Sequence, residues 1–183
     1  MDRCAGHGED RGTTGCEEDS AIGEAGCSLS SANCKLALTR DGGPLTPACA
    51  IALGADALAE AMNAHDIDAF VSLFAADYDS RQPAHPDRAF VGRDQVRANW
   101  SAVFRGVPDF RAELIATAVE ADTLWSEWRW RGTHDDGSPL DMAGVLVGGI
   151  QDGRLAWARL YIEPVESGGE GIDAVVRKMS GRR

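Results

Sequence analysis

Aromatic side chains are absent from the first 69 residues of this 183-residue chain, and cysteine is absent after position 49. A segment without aromatic residues has few groups from which to build a core. Because the first 48 residues are rich in glycine, serine and acidic side chains, we predict a disordered tail at 1–48. The five cysteines include no Cys-x-x-Cys pair, so free thiols are favoured over a zinc site or a disulfide framework.

Basic residues and long apolar runs are also scarce. The chain has 18 Lys and Arg against 29 Asp and Glu, a formal net charge of -11, and no basic cluster with which to neutralise phosphates. No apolar run approaches the roughly 20 residues of a membrane span, and the first ten residues lack the apolar stretch of a secretory signal. We therefore expect a cytoplasmic protein with neither a nucleic-acid nor a membrane partner.

Apolar residues from position 50 onward recur with the period of a helix. The segment 50–66 has one apolar face, Asp66 is a suitable N-cap, and behind it Ile67, Phe70, Val71 and Phe74 form a stripe. The loop 80–90 contains two prolines and predicts irregular structure. A third helical pattern, RDQVRANWSAVF, follows Gly92 and ends before Pro108. The sequence thus predicts three helices in its first 107 residues.

After Pro108 the apolar period changes to two, which predicts four strands at 110–119, 123–131, 140–150 and 154–164. The last two are joined by Gln151-Asp152-Gly153, a sequence typical of a tight hairpin turn. A Gly-rich linker and a short helix, IDAVVRKM, are predicted within 166–183. Three helices followed by a meander of antiparallel strands predict an α+β fold with the helices on one sheet face.

The alternation also assigns side chains to the two faces of the sheet. The face predicted to be internal carries Leu124, Ser126, Trp128, Trp130, Ala156, Ala158, Leu160 and Ile162. Large rings on one strand that face small side chains on another leave room for a flat apolar ligand. The alternative is a packed core without a cavity.

The opposite face is predicted to be external, and it mixes aromatic with charged side chains. Its members are Trp125, Glu127, Arg129, Arg131, Trp157, Arg159, Tyr161 and Glu163, with ion pairs such as Arg129 with Glu163 across strands. Aromatic residues and Arg are enriched at protein interfaces, which favours a homodimer through this face. The alternative is cover by the C-terminal segment folding back.

The order of these elements and four stretches of sequence resemble the nuclear transport factor 2-like superfamily. Within it the match is to the SnoaL-like group, which includes ketosteroid isomerase-like and polyketide cyclase-like proteins. The stretches are AMNAHDIDAFVSLFAADY, GRDQVRANW, RGTH and QDGRLAWARLYIEPVE. The resemblance implies that 49–165 forms a cone, a curved antiparallel sheet wrapped around about three N-terminal helices, with an internal pocket and often a dimer on the sheet's outer face.

The resemblance also locates catalytic positions, and this sequence lacks catalytic groups at them. Steroid isomerases of the superfamily use a carboxylate base, a tyrosine and a protonated carboxylic acid. By resemblance these positions hold Gln82, Leu58, and Val145 or Leu146, and the late-strand aspartate of limonene-epoxide hydrolase-like members falls on Leu160. An amide cannot accept a proton at neutral pH and leucine has no donor, so we predict that both activities are absent.

Three further side chains are candidates for acid or base chemistry. Asp141 is the strand carboxylate available for the aldol closure of cyclase-like members, and its face depends on how the hairpin is aligned. His85 and His134 lie in loops that the family places at the mouth of the pocket, where a histidine can act near pH 7. The alternative for each histidine is an exposed loop residue. The spacing of His85, His134, Asp135 and Asp136 matches no known ligand pattern, so we expect no metal site, and we expect no cofactor.

Together these observations predict a SnoaL-like small-molecule-binding protein with an apolar pocket, or an enzyme of unassigned reaction on a cyclic or polyketide-like metabolite. The predicted ligand-binding residues are Leu58, Gln82, His85, Trp100, Trp128, Trp130, His134 and Leu160. By resemblance, Trp100 falls where steroid isomerases carry a pocket tyrosine. The alternative function is a non-catalytic dimeric structural or interaction module whose cone is filled by its own side chains.

Overall fold

The computed structural model describes residues 47–181, so all but the last two residues of the predicted tail at 1–48 lie outside it. The helices of the described part are α1 (Pro47–Ala64), α2 (Ile67–Ser72), α3 (Arg93–Gly106) and α4 (Ile172–Met179), with a 3₁₀ turn at Pro86–Arg88. The strands are β1 (Phe74–Arg81), β2 (Phe90–Val91), β3 (Arg111–Glu120), β4 (Thr123–Thr133), β5 (Pro139–Gln151) and β6 (Arg154–Pro164). None of these helices is long and apolar enough to cross a membrane.

Helix α2 begins where the sequence predicts it. Oδ1 of Asp66 accepts hydrogen bonds from the backbone N–H groups of Asp68 (3.1 Å) and Ala69 (2.9 Å), the bonding pattern of an N-cap. The helix is shorter than predicted, because Phe74 belongs to β1 and not to the helical stripe. Strand β1 itself was not predicted. It occupies the end of the second helical pattern and the start of the loop.

The six strands form one curved sheet in the order β2-β1-β6-β5-β4-β3. Neighbouring strands are antiparallel except β1 and β6, which run parallel. A parallel pair requires a long crossover, and here the crossover contains α3 and the β3–β5 meander. The predicted α+β cone is confirmed, with the correction that one strand pair is parallel.

Helices α1 to α3 pack on the face of the sheet that we call the inner face, and the opposite side is the outer face. In β4 the predicted alternation is confirmed, since Leu124, Ser126 and Trp128 are buried on the inner face whereas Trp125 is 48% exposed on the outer face. The inner-face residues of β4 lie opposite inner-face residues of β5, as Ser126 lies opposite Leu146. The alternation therefore places the apolar side chains of the meander under the helices.

Strand β6 follows its predicted faces only from Ala158 onward. The register of β5 with β6 shifts between Gly149 and Ile150, which leaves Ala156 as the extra residue of a β-bulge. Leu155, 2% exposed, takes the core position that the simple alternation assigns to Ala156. The expectation for Ala156 is wrong because a bulge adds one residue to the period of two.

Helix α4 has no buried residue. Its apolar side chains, at Ile172, Val175, Val176 and Met179, are 38% to 83% exposed. The alternative in which the C-terminal segment folds back to bury the outer face therefore does not hold for this helix. Trp125 and Tyr161 on the outer face remain about half exposed within one chain.

Candidate functional site

A cluster of aromatic rings lies between α3 and the inner face of the sheet. The ring centroid of Trp100 is 4.7 Å from Phe70, 5.5 Å from Phe104, 5.6 Å from Phe110 and 5.5 Å from Trp130, in tilted or edge-to-face geometry. Such arrangements are favourable for aromatic pairs and hold the rings at fixed angles. Two of the three tryptophans predicted to line a pocket, Trp100 and Trp130, are thus in direct contact with each other.

The two inner tryptophans of β4 differ in how their indole N–H groups are used. Nε1 of Trp128 donates to Oγ of Ser126 (2.8 Å), which donates in turn to the carbonyl oxygen of Leu146 (3.2 Å). Nε1 of Trp130 is buried and has no hydrogen-bond partner within the described residues. An unpaired buried N–H costs about 1–3 kcal/mol relative to a paired one. Nε1 of Trp130 is therefore a buried donor whose hydrogen-bonding capacity is unused among the described residues.

Five of the eight predicted ligand-binding residues belong to the same hydrophobic cluster under the helices. Leu58, Trp128 and Trp130 are buried in it, and Trp100 and Leu160 are half-buried against it. The structure thus brings together the apolar members of the predicted site.

The polar members of the predicted site lie outside that cluster. Gln82 and His85 are in the β1–β2 loop, where Oε1 of Gln82 accepts from Nη1 of Arg88 (3.2 Å) and Nε2 of His85 lies 3.0 Å from Oε1 of Glu163. His134 is in the β4–β5 turn, and its backbone N–H donates to the carbonyl of Ser138 (2.9 Å). The side chain of His85 thus holds its loop to β6, whereas the contact at His134 is made by its backbone, and both histidines lie outside the apolar cluster.

The candidate acid Asp141 lies on the outer face, opposite Arg131 in the β4–β5 register. Its Oδ2 is 2.5 Å from Nη2 of Arg129. The expected ion pair between Arg129 and Glu163 is wrong, because Ala143 separates them in the sheet. An acid paired on the outside of the sheet cannot serve an aldol closure inside the cone, so this candidate role for Asp141 is withdrawn.

Tyr78 is an inner-face group that the sequence analysis missed. It is 3% exposed, and burial raises the pKa of its phenol to about 12, an effect that a hydrogen bond with Ser80 opposes only in part. The hydroxyl therefore stays protonated at neutral pH. The sequence signal for this strand was the alternation of Tyr78 and Ser80 with Asp79 and Arg81. It is only four residues long, which is short for predicting a strand.

The shifted pKa of Tyr78 makes a testable contribution to alkaline stability. In the unfolded chain a tyrosine ionises near pH 10, and in the fold Tyr78 ionises near 12, so the stabilisation is complete below pH 10 and is lost as pH rises toward 12. Two pKa units correspond to about 2.7 kcal/mol. Tyr78→Phe has no ionisable hydroxyl at this position. Above pH 10, its free energy of unfolding is therefore expected to fall less than that of the wild type. Urea titrations at pH 8 to 11.5 measure the difference, and parallel curves for the two proteins would contradict it.

A cavity of about 580 Å³ lies beside the C-terminal end of β1 and the middle of β6, under the segment 82–91. Gln82 is the one predicted ligand-binding residue among the residues that line this cavity. An adjoining cavity of about 120 Å³ shares Asp79, Arg81 and Arg159 with it. Within the described residues, no group of three or more His, Cys, Asp and Glu is placed to hold a metal ion.

Comparison with known proteins agrees with this architecture. A family model described as the SnoaL-like domain matches residues 55–158. No curated protein has a sequence similar enough to match. A SnoaL-like protein of unknown function from Burkholderia thailandensis is 26% identical, covers 67% of this chain and 100% of its own, and has a TM-score of 0.52.

Two further solved structures share the fold at lower identity. IdmH from Streptomyces antibioticus, whose assignment as a polyketide cyclase is itself provisional, is 20% identical over 62% of this chain and 91% of its own, with a TM-score of 0.55. A protein of ketosteroid isomerase-like fold from Catenulispora acidiphila, solved with trimethylamine, is 16% identical over 58% and 82%, with a TM-score of 0.52. The matched residues run from the middle of α1 to the middle of β6, and they show that this chain belongs to the SnoaL-like domain family.

Proposed function

We propose that this protein binds a small, flat, apolar cyclic molecule, of the kind that polyketide-like metabolites represent, between α1 to α3 and the inner face of the sheet. The observation that carries the proposal is Nε1 of Trp130, a buried donor with no acceptor among the described residues. A ligand oxygen that accepts from this N–H removes the cost of leaving it unpaired. The surrounding rings supply the apolar walls on which a flat ligand packs.

Binding, and not a defined reaction, is the function that these residues support. Gln82 at the base position cannot take a proton, and Leu58 and Leu146 offer no donor or acid at the remaining positions. Leu146, and not Val145, is the inner-face candidate for the second acid position, since it lies opposite Ser126 in the register. Tyr78 and Trp130 are two of the inner-face donors, and each can donate to a ligand oxygen but is not a base at neutral pH.

The proposal is tested with 9-fluorenone and fluorene, two flat molecules that differ in the ketone oxygen. Fluorenone is expected to shift the Trp130 indole signal in an ¹H–¹⁵N spectrum, with Trp130→Phe identifying that signal. Because one hydrogen bond contributes about 0.5–1.5 kcal/mol, Trp130→Phe should weaken fluorenone binding roughly 2- to 10-fold and leave fluorene binding unchanged. Trp125→Phe, altered on the outer face, is the matched control.

The alternative function predicts a different outcome. If the rings around Trp100 fill the cone completely, neither molecule shifts the indole signals of Trp100, Trp128 or Trp130. Equal loss of fluorenone binding in Trp130→Phe and Trp125→Phe would likewise contradict the proposal. Either result would favour the non-catalytic module with a filled cone.

We also propose that two copies of the chain associate through the outer face. Trp125 and Tyr161 are 48% and 46% exposed there, on the strands on either side of β5. Exposed aromatic side chains with arginines around them are costly to leave in water and suit a self-complementary two-fold contact. The charged neighbours carry both signs, which allows one copy to complement the other.

A further inference from the structure

We infer that the 580 Å³ cavity on the outer side of β1 and β6 is a second ligand site, and that it takes a small aromatic carboxylate. Its volume lies within the roughly 300–1,000 Å³ typical of small-molecule sites. The cavity is lined by outward-facing residues of β1 and β6 together with the 82–91 segment, and Phe90 is the lining residue that also packs against the hydrophobic cluster under the helices. The inference does not depend on the proposed ligand of the cone.

The charges that line the cavity leave a positive excess. Arg81 and Arg159 are Cα partners on the parallel strands β1 and β6, and like charges directly opposite each other in a sheet are destabilising. Asp79 offsets one of them, with Oδ2 2.9 Å from Nη2 and 3.2 Å from Nε of Arg81. Two arginines against one aspartate leave one positive charge in a chain whose formal net charge is -11. An anion in the cavity balances that charge.

The guanidinium of Arg159 makes a cation–π contact beside the cavity. Its central carbon lies over the Trp157 ring, 5.0 Å from the ring centroid. Such a contact does not use the N–H groups as hydrogen-bond donors, and their forked geometry matches a carboxylate. Both residues line the adjoining 120 Å³ cavity, which therefore continues the site toward Trp157.

The other lining groups select a ligand with an anionic end and an apolar body. Oε1 of Gln82 is engaged by Arg88, so the NH₂ of that amide is the group left to donate into the cavity. Pro86, Phe90 and Val91 supply an apolar wall for a ring. Donors at one end and apolar surface at the other fit an aromatic carboxylate and disfavour a cation.

Two contacts hold the wall of the cavity in place. His85 holds the β1–β2 loop to β6 through Glu163 (Nε2 to Oε1 3.0 Å), and inside the loop the backbone N–H of His85 donates to the carbonyl of Gln82 (2.8 Å). A preformed wall lowers the cost of ordering the site when a ligand binds.

The experiment compares 1-naphthoate with its uncharged isostere 1-naphthamide, using isothermal titration calorimetry on the full chain. Naphthoate is expected to bind at least about 10-fold more tightly than naphthamide, since hydrogen bonds to charged groups contribute about twice as much as neutral ones. Arg159→Gln should remove that preference, whereas Arg159→Lys should retain part of it. Arg105→Gln, an exposed charge change on α3, is the matched control and should bind as the wild type does.

Several outcomes would overturn the inference. They are equal binding of naphthoate and naphthamide, equal affinities of Arg159→Gln and Arg105→Gln, and no heat of binding at millimolar naphthoate. Displacement of naphthoate by an equal concentration of inorganic phosphate would also overturn it, because the aromatic body would then contribute nothing. Trp130→Phe should leave naphthoate binding unchanged, so failure of the cone proposal and failure of this one are distinguishable.

Discussion

Replacing Trp128 with alanine is expected to remove about 3–5 kcal/mol from the free energy of unfolding, the range measured for large aromatic residues in protein cores. Trp128 is fully buried on the inner face, and its Nε1 donates to Ser126. The substitution leaves both a cavity and a buried hydroxyl that has lost a partner. Since domains are stable by only about 5–15 kcal/mol, the variant should unfold at much lower urea concentration in circular dichroism titrations.

Two further variants separate the causes of this loss. Trp128→Phe keeps most of the ring but not the indole N–H, so we expect a loss of about 1–3 kcal/mol, between the wild type and the alanine variant. Trp125→Ala removes the neighbouring tryptophan, which is 48% exposed on the outer face, and should cost clearly less than Trp128→Ala. Equal destabilisation by Trp128→Ala and Trp125→Ala would contradict the assignment of the two faces.

Tyr161→Glu is expected to convert a dimer into a monomer. Tyr161 lies on the outer face of β6, where Val145 separates it from Glu127 in the sheet. A two-fold contact would bury the new charge twice, and loss of a central tyrosine commonly costs 2 kcal/mol or more, which is roughly 30-fold in the dissociation constant. Sedimentation should show the wild type near twice 19.5 kDa and the variant near 19.5 kDa.

Arg129 also lies on the outer face, but it is a poorer position than Tyr161 at which to test association. Arg129 pairs with Asp141, so Arg129→Glu would place two carboxylates together and disturb the fold as well as the association. Ala102→Glu, an exposed position on α3, adds the same charge on the other side of the sheet and should remain dimeric. A wild-type protein that sediments as a monomer at micromolar concentration, or a dimeric Tyr161→Glu, would refute the outer-face dimer.

Local features of the sequence predicted much of the fold. The cap at Asp66 and the period-two alternation from position 110 depend on near neighbours, and the helix and strands they predict were found. The turn at Asp152-Gly153 has φ angles of 49° and 71°, the left-handed geometry that this dipeptide favours. The predicted membership of the SnoaL-like family was also confirmed, because its stretches of sequence lie within the folded segment.

The sequence by itself therefore determined the α+β class, the helical and strand periods and the burial of Trp128 and Trp130, since each is set by residues a few positions apart. The tertiary structure alone decided the parallel pairing of β1 with β6, because that pairing joins segments more than 70 positions apart. It also decided the bulge at Ala156 in β6, the outward pairing of Asp141 with Arg129, and the cavity beside Arg159. Each of these depends on the register between strands, which determines the neighbours of a side chain. That register cannot be predicted from the order of apolar and polar residues within one strand.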